Sequence, residues 1–349
     1  MKERDYQMDN LKGMLVFLVV FGHLIQFTIW KTAPIVGYTY TGIYLFHMPL
    51  FVFISGYFSK KSNAKRLLEL FIVYALWQML ITPVFVSLTT DSTYSDVVDS
   101  IFKPYAHHWY LVSLIIWRIM TPYVSSIKKI ILISFICGIG IGLSSVLLEL
   151  SPSTKDVSTF SLGRTIGFYP FFLMGYFFTK EKLDQIKKKL TKPLGIISFL
   201  SLVIVGVIFL NSQVDHYLKH TMINKMLFMR EAYAAFLTHP SRGILMRIIL
   251  YLIQLGLVLL PFSFISSKKS IWSQIGMNSF FIYLSHGIFY LALQKIFFAK
   301  IDHFLAHHVL MISAIVAMGY CLLLCTKPFV KLGSFLTSPK VDGWFKLDR

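Results

Sequence analysis

The sequence predicts an all-α fold, a polytopic membrane helix bundle of about ten transmembrane helices. Three observations predict it. Only 14% of the 349 residues are charged, against roughly 25% in a soluble domain. Hydrophobic residues make up 56% and aromatic residues 16%, and the mean hydropathy is +0.65. The charges that remain are mostly basic, 34 Lys and Arg against 16 Asp and Glu. They sit in short clusters between apolar runs: Lys60-Lys61 with Lys65-Arg66, Lys128-Lys129, Lys187-Lys188-Lys189 and Lys268-Lys269. Short basic loops beside spans mark the inner side of a membrane. The net charge of +18 is not gathered on a basic face with interleaved aromatics, so nucleic acid is not the expected partner.

A span needs about 20 mostly apolar residues. Ten stretches qualify in order: 11–30, 36–58, 67–88, 108–124, 130–148, 165–179, 193–210, 243–265, 275–298 and 307–327. The first lacks a small-residue cleavage site and further spans follow it, so it reads as a span rather than a cleaved leader. The sixth is short. With the N-terminus inside, the basic residues divide 22 on the inner side to 10 on the outer, and Arg118 and Arg247 fall within spans. That bias puts both termini in the cytoplasm. Two outer segments stand out, 89–107 and 211–242, the second holding His216, His220, Arg230, Glu231 and His239. No internal repeat is visible, and residues 1–349 read as a single integral-membrane domain. Cys137, Cys321 and Cys325 all lie in apolar runs and read as small buried hydrophobes, not as a disulfide framework or a metal site.

Ionisable groups inside a bilayer cost roughly 2.5–3.5 kcal/mol at its centre, so they mark function unless a structural partner explains them. His23, His47 and His286 lie deep in expected spans, as do Arg118 and Arg247. Lys12 and His23 are eleven residues apart on the first helix, which is three turns with about 20° left over. Both therefore point the same way, about 16 Å apart along the axis. A snorkelling lysine and a packing histidine would give the same spacing. His47 and His286 have the same structural alternative, and Arg118 has a carboxylate within reach in Glu69. Trp109-Tyr110 also fits an interfacial aromatic belt, and Arg164 fits a solvated anchor. No Gly-x-Ser-x-Gly elbow, His-Glu-x-x-His helix or phosphate-binding Gly-x-x-x-x-Gly-Lys-Ser/Thr loop competes with these candidates.

The stretch from Arg4 to Gly13 includes Asp9 three residues before Lys12, and Val19-Val20-Phe21-Gly22-His23 follows. Downstream come Phe46-His47-Met48-Pro49 with Ser55-Gly56-Tyr57, His108-Trp109-Tyr110-Leu111 with Trp117-Arg118, and Gly163-Arg164 with Tyr169-Pro170 and Gly175-Tyr176. Last come Gly276-Met277-Asn278-Ser279 and Ser285-His286. These motifs, in this order, resemble the acyltransferase 3 family of integral-membrane O-acyltransferases, in particular its fucose 4-O-acetylase-like branch. The family's usual arginine is Lys12 here, and its third-helix Pro-Tyr reads Val73-Tyr74.

The resemblance implies an O-acetyltransferase that uses acetyl-CoA as co-substrate and has no permanently bound cofactor. Its acceptor would be a hydroxyl of a cell-surface or lipid-linked glycan. His23 would be catalytic, as general base or acyl carrier. Lys12 and Arg118 would bind the donor's phosphates, and Asp9, His47, Trp109, Arg164 and His286 are further site candidates. A multi-spanning transporter or flippase is the alternative. It would use the same intramembrane charges as a substrate path, but it would carry inverted repeats and broken helices that are not evident here.

Overall fold

The computed structural model describes residues 4–26, 34–88, 107–143, 161–212, 225–229, 232–233, 239–296, 303–339 and 341. Among them are fourteen helices and no strand. In chain order they are α1 (Tyr6–Gln26), α2 (Pro34–Phe58), α3 (Ala64–Leu88), α4 (Trp109–Val124) and α5 (Ile130–Gly140), which tightens into a 3-10 turn at Ile141–Leu143. Then follow α6 (Leu162–Phe177), α7 (Lys180–Lys189), α8 (Lys192–Ser212), α9 (Pro240–Leu259), α10 (Pro261–Phe264), α11 (Ile271–Met277), α12 (Ser279–Ile296), α13 (His303–Leu323) and α14 (Lys327–Thr337). Each of the ten expected stretches coincides with one of these helices or with a consecutive pair. Most of the outer segments expected at 89–107 and 211–242, including His216, His220, Arg230 and Glu231, lies outside the described residues.

By length and composition, four of these helices can cross a membrane, or five if the pair α13–α14, bent by 77°, is one broken span. The stretch expected as one span at 275–298 is instead interrupted. Helix α11 ends at Met277, Asn278 leaves helical geometry at φ −102° and ψ 6°, and α12 starts afresh at Ser279. A hydropathy window averages across such a one-residue break. The most apolar of the four, α8, is only 17% buried, and Ile197, Ile204 and Ile208 lie open along it. Lipid is the solvent that tolerates that surface, since soluble proteins rarely expose apolar patches of that size. Cys321 is buried as expected; Cys137 is exposed on the apolar surface of α5, where lipid serves as well as a core.

The Cα packing divides the chain into two units. The first comprises Met1–Tyr40, Lys61–Ile115 and Ser266–Arg349. Here α1 packs against α11, α12 and α13, and α12 also packs against α3 and α14. The tightest contact is α1 on α11. A Cβ on Gly13 would stand 2.0 Å from the Trp272 carbonyl oxygen, and one on Gly276 would stand 1.8 Å from that of Asp9. Backbone therefore touches backbone, which only glycine permits. Asn10 secures the approach. Its amide donates to the Ser266 and Lys268 carbonyls at 2.8 and 2.9 Å, and its oxygen accepts from Ser270 Oγ at 2.7 Å. Ser270 in turn caps α11 in a capping box with Ser273.

The second unit comprises Thr41–Lys60 and Ile116–Ile265. A glycine pair recurs here. A Cβ on Gly56 would meet the Phe172 carbonyl at 2.0 Å, and one on Gly175 the Phe53 carbonyl at 1.8 Å. Helices α5, α6 and α9 join through Phe135, whose ring lies 5.8 Å from Phe171 and 5.0 Å from Tyr251. Trp117 Nε1 donates to the Thr165 carbonyl at 2.8 Å, and the Tyr251 hydroxyl donates to the Gly167 carbonyl at 2.7 Å. Indole and phenol thus satisfy backbone oxygens that lipid cannot.

Candidate active site

Helix α1 carries the N-terminal candidates of the first unit. Asp9 is buried and accepts from two cations, Arg4 Nε at 2.6 Å and Lys12 Nζ at 2.7 Å. Asp5 lies at the same end and accepts from Met8 N–H at 3.2 Å, so two carboxylates balance the two cations there. Further along, His23 Nδ1 lies 2.8 Å from the Val19 carbonyl oxygen. A carbonyl only accepts, so Nδ1 carries the hydrogen and the neutral ring presents Nε2 as its lone-pair nitrogen.

His23 does not stand alone. Its ring centroid lies 5.0 Å from that of His286 and 6.5 Å from that of His107, and the Tyr290 ring stacks on it at 5.5 Å. His286 and His107 are 4.3 Å apart, and His107 and His108 are 4.5 Å apart. Four imidazoles from α1, the head of α4 and α12 therefore run in one chain: His23, His286, His107, His108. Each is oriented. His286 Nδ1 donates to the Tyr283 carbonyl, and the Tyr283 hydroxyl donates to the backbone carbonyl of His107. His108 Nδ1 donates to Gln78 Oε1 at 2.8 Å. The Nε2 atoms of His286 and His108 are buried without a hydrogen-bond partner, and neither ring nitrogen of His107 makes a bond of normal geometry. A Cβ on Gly287 would lie 2.0 Å from His107 Cε1, so the glycine beside His286 is what admits the His107 ring.

Of the sequence candidates, His23 and His286 are brought together in this unit, and Lys12 is paired with Asp9 below them on α1. Trp109 is buried in the same unit, its ring 6.2 Å from Tyr110, which reaches Tyr283 at 5.4 Å. His107 and Tyr290 escape a reading of the sequence. Their signals are faint: His107 doubles His108 at the head of an apolar run, and Tyr290 lies one helical turn beyond His286. Among the described residues, no group of His, Cys, Asp and Glu is arranged to hold a metal ion.

Arg118, His47 and Arg164 belong to the second unit. Arg118 Nε donates to Ser59 Oγ at 3.0 Å, while Glu69 lies 4.0 Å from Lys65 instead. His47 is buried, its Nδ1 donating to the Ile43 carbonyl at 2.8 Å and its ring 4.5 Å from Tyr44. The Tyr44 ring lies 5.2 Å from Phe228, over which the Arg164 guanidinium stands at 5.7 Å.

Fold and site define an all-helical membrane protein with polar machinery sunk among apolar helices. Residues 5–326 match an acyltransferase domain, and the chain belongs to the acyltransferase 3 family. Nodulation protein NolL of Mesorhizobium japonicum is 27% identical over 194 residues, 51% of this chain and 48% of that protein. Nodulation protein NolL of Sinorhizobium fredii is 27% identical over 199 residues, 52% and 50% of the two chains. The chain spans about half the length of the curated relatives it matches. No solved structure matches. Membership of an acyltransferase family favours the transfer reading over the transporter alternative.

Proposed function

We propose that this chain is a multi-pass protein of the cell membrane that moves an acetyl group from cytoplasmic acetyl-CoA to a hydroxyl of a cell-surface or lipid-linked glycan. The observation that carries the reading is the hydrogen bond from His23 Nδ1 to the Val19 carbonyl, which leaves Nε2 as the accepting nitrogen. His23 Nε2 takes the acceptor's hydroxyl proton as that oxygen attacks the thioester carbonyl. The carbon–sulfur bond then breaks, and the CoA thiolate leaves with the proton returned from Nε2. The Val19 carbonyl holds the ring in place and stabilises the imidazolium between the two steps, while Tyr290 and His286 wall the ring on two sides. Lys12, held by Asp9 at 2.7 Å, offers a cation to the phosphate end of CoA.

The test is transfer of labelled acetyl from acetyl-CoA by purified protein in liposomes, together with mass spectrometry of surface polysaccharide from a deletion strain. Loss of acetyl ester from the polysaccharide, matched by transfer in vitro, is the expected result. Unchanged acetylation in the deletion strain, with no acetyl-CoA binding by the purified chain, would refute the reading.

A further inference from the structure

Helix α9 carries two buried polar side chains that the reaction above does not use. Arg247 is 2% exposed and Gln254 is 0% exposed. They are seven residues apart, two helical turns, and so lie on the same face with about 10 Å of rise between them. Arg247 Nε and Nη1 have no hydrogen-bond partner, and neither has the amide nitrogen or oxygen of Gln254. None of the ion pairs among the described residues includes Arg247. Its neighbour is Tyr233, whose ring lies 5.8 Å from the guanidinium carbon and whose hydroxyl oxygen accepts a hydrogen bond from it. That hydroxyl donates in turn to the Ile139 carbonyl at 3.0 Å, and Tyr251 donates to the Gly167 carbonyl.

A guanidinium does not deprotonate in a protein, so burial cannot neutralise it. A buried cation answered only by a phenol is strongly disfavoured unless an anion joins it. An amide with both ends unsatisfied, two turns along the same face, is a second vacancy of the same kind. We propose that Arg247 and Gln254 form an anion site within the second unit, for a phosphate or carboxylate group of a lipid or saccharide. Arg247 takes the charge through its fork of donors, and Gln254 takes a neutral polar group further along. Arg247 lies in the half of α9 nearer Pro240, the end that the basic-residue distribution places outside. This assignment stands apart from the acetyl-transfer reading above.

The experiment uses the full chain purified in detergent, with thermal stability read against inorganic phosphate, a prenyl phosphate, the matching prenyl alcohol and glucuronate, at constant ionic strength. Wild type should be stabilised by the anions and not by the alcohol. Preference for the prenyl phosphate assigns the anion to a lipid carrier; preference for glucuronate or free phosphate assigns it to the glycan. Arg247→Gln should weaken the apparent phosphate affinity at least about tenfold, the scale of one lost charge-assisted pair. Arg247→Lys should keep part of it, and Gln254→Leu should lower it less. Stabilisation by acetyl-CoA should be unchanged in all three variants. Acetyl-CoA binding lost along with phosphate in Arg247→Gln would assign the site to the donor and overturn the proposal. So would wild-type phosphate binding by Arg247→Gln, or failure of both Arg247 variants to accumulate. A wild type that binds acetyl-CoA but no anion sinks this inference alone, whereas one that binds neither sinks the acetyl-transfer reading.

Discussion

At the scale of single residues, the reaction depends on where hydrogen atoms sit. His23, His286 and His47 each donate Nδ1–H to a carbonyl three or four residues back on their own helix. Each is thereby fixed in the tautomer with Nε2 as acceptor. Removing the His23 imidazole should cost at least the roughly 10²–10⁴-fold typical of a general base, with normal membrane levels and retained acetyl-CoA binding in His23→Ala and His23→Asn. Acetylated glycan is the readout, and His216→Ala and His239→Ala serve as mild controls. A well-expressed His23→Ala enzyme of wild-type activity removes the central claim. Gly287→Ala tests His107. The added methyl would stand 2.0 Å from the His107 ring and push it off His286, so turnover should fall about 10–100-fold while folded protein persists. Unchanged turnover would leave His107 with a packing role only. For Lys12, the charge decides. Lys12→Arg should keep most activity at limiting acetyl-CoA and Lys12→Glu should lose it, because the reversed charge meets both Asp9 and the donor's phosphates. Equal activity of wild type and Lys12→Glu would dismiss the phosphate role.

At the scale of elements, the glycines in the motifs serve contact rather than chemistry. Gly13 and Gly276 let α1 and α11 meet carbonyl to Cα, as Gly56 and Gly175 do for α2 and α6. Gly13→Ala and Gly276→Ala should each destabilise by about 1–3 kcal/mol. The double variant should cost less than the sum, since helices already parted by one methyl leave room for the other. Chemical unfolding in mixed micelles measures this, and strict additivity would contradict the shared interface. The helices themselves were legible because lipid imposes long apolar runs, and all ten runs recur as helices. The break at Asn278 was not legible, since both flanks are apolar and only the cap geometry separates them. His23 and His286 were legible as imidazoles deep in apolar runs. His107 was not, because its meaning lies in contacts with residues 84 and 179 positions away in the chain.

At the scale of the whole molecule, both units are assembled from separated stretches of chain, so neither could be read from one contiguous segment. Orientation remains an expectation of the basic clusters. Reporter fusions after Lys61, Lys128 and Lys188 should report cytoplasmic, and fusions near Asp96 and Lys219, both outside the described residues, should report external. Inverted signals at two or more sites would overturn the frame. One further feature acts at this scale. Helix α14 turns 77° from α13, exposes Val330, Leu332 and Phe335, carries Lys327 and Lys331, and packs Gly333 onto Phe281 of α12. A short helix of this make-up rests flat at the lipid headgroups. Fastened to α12, it should act as a float that sets how deep His286 rides below that surface. Bilayer thickness, through hydrophobic mismatch, should then tune the distance between that membrane face and the histidine chain.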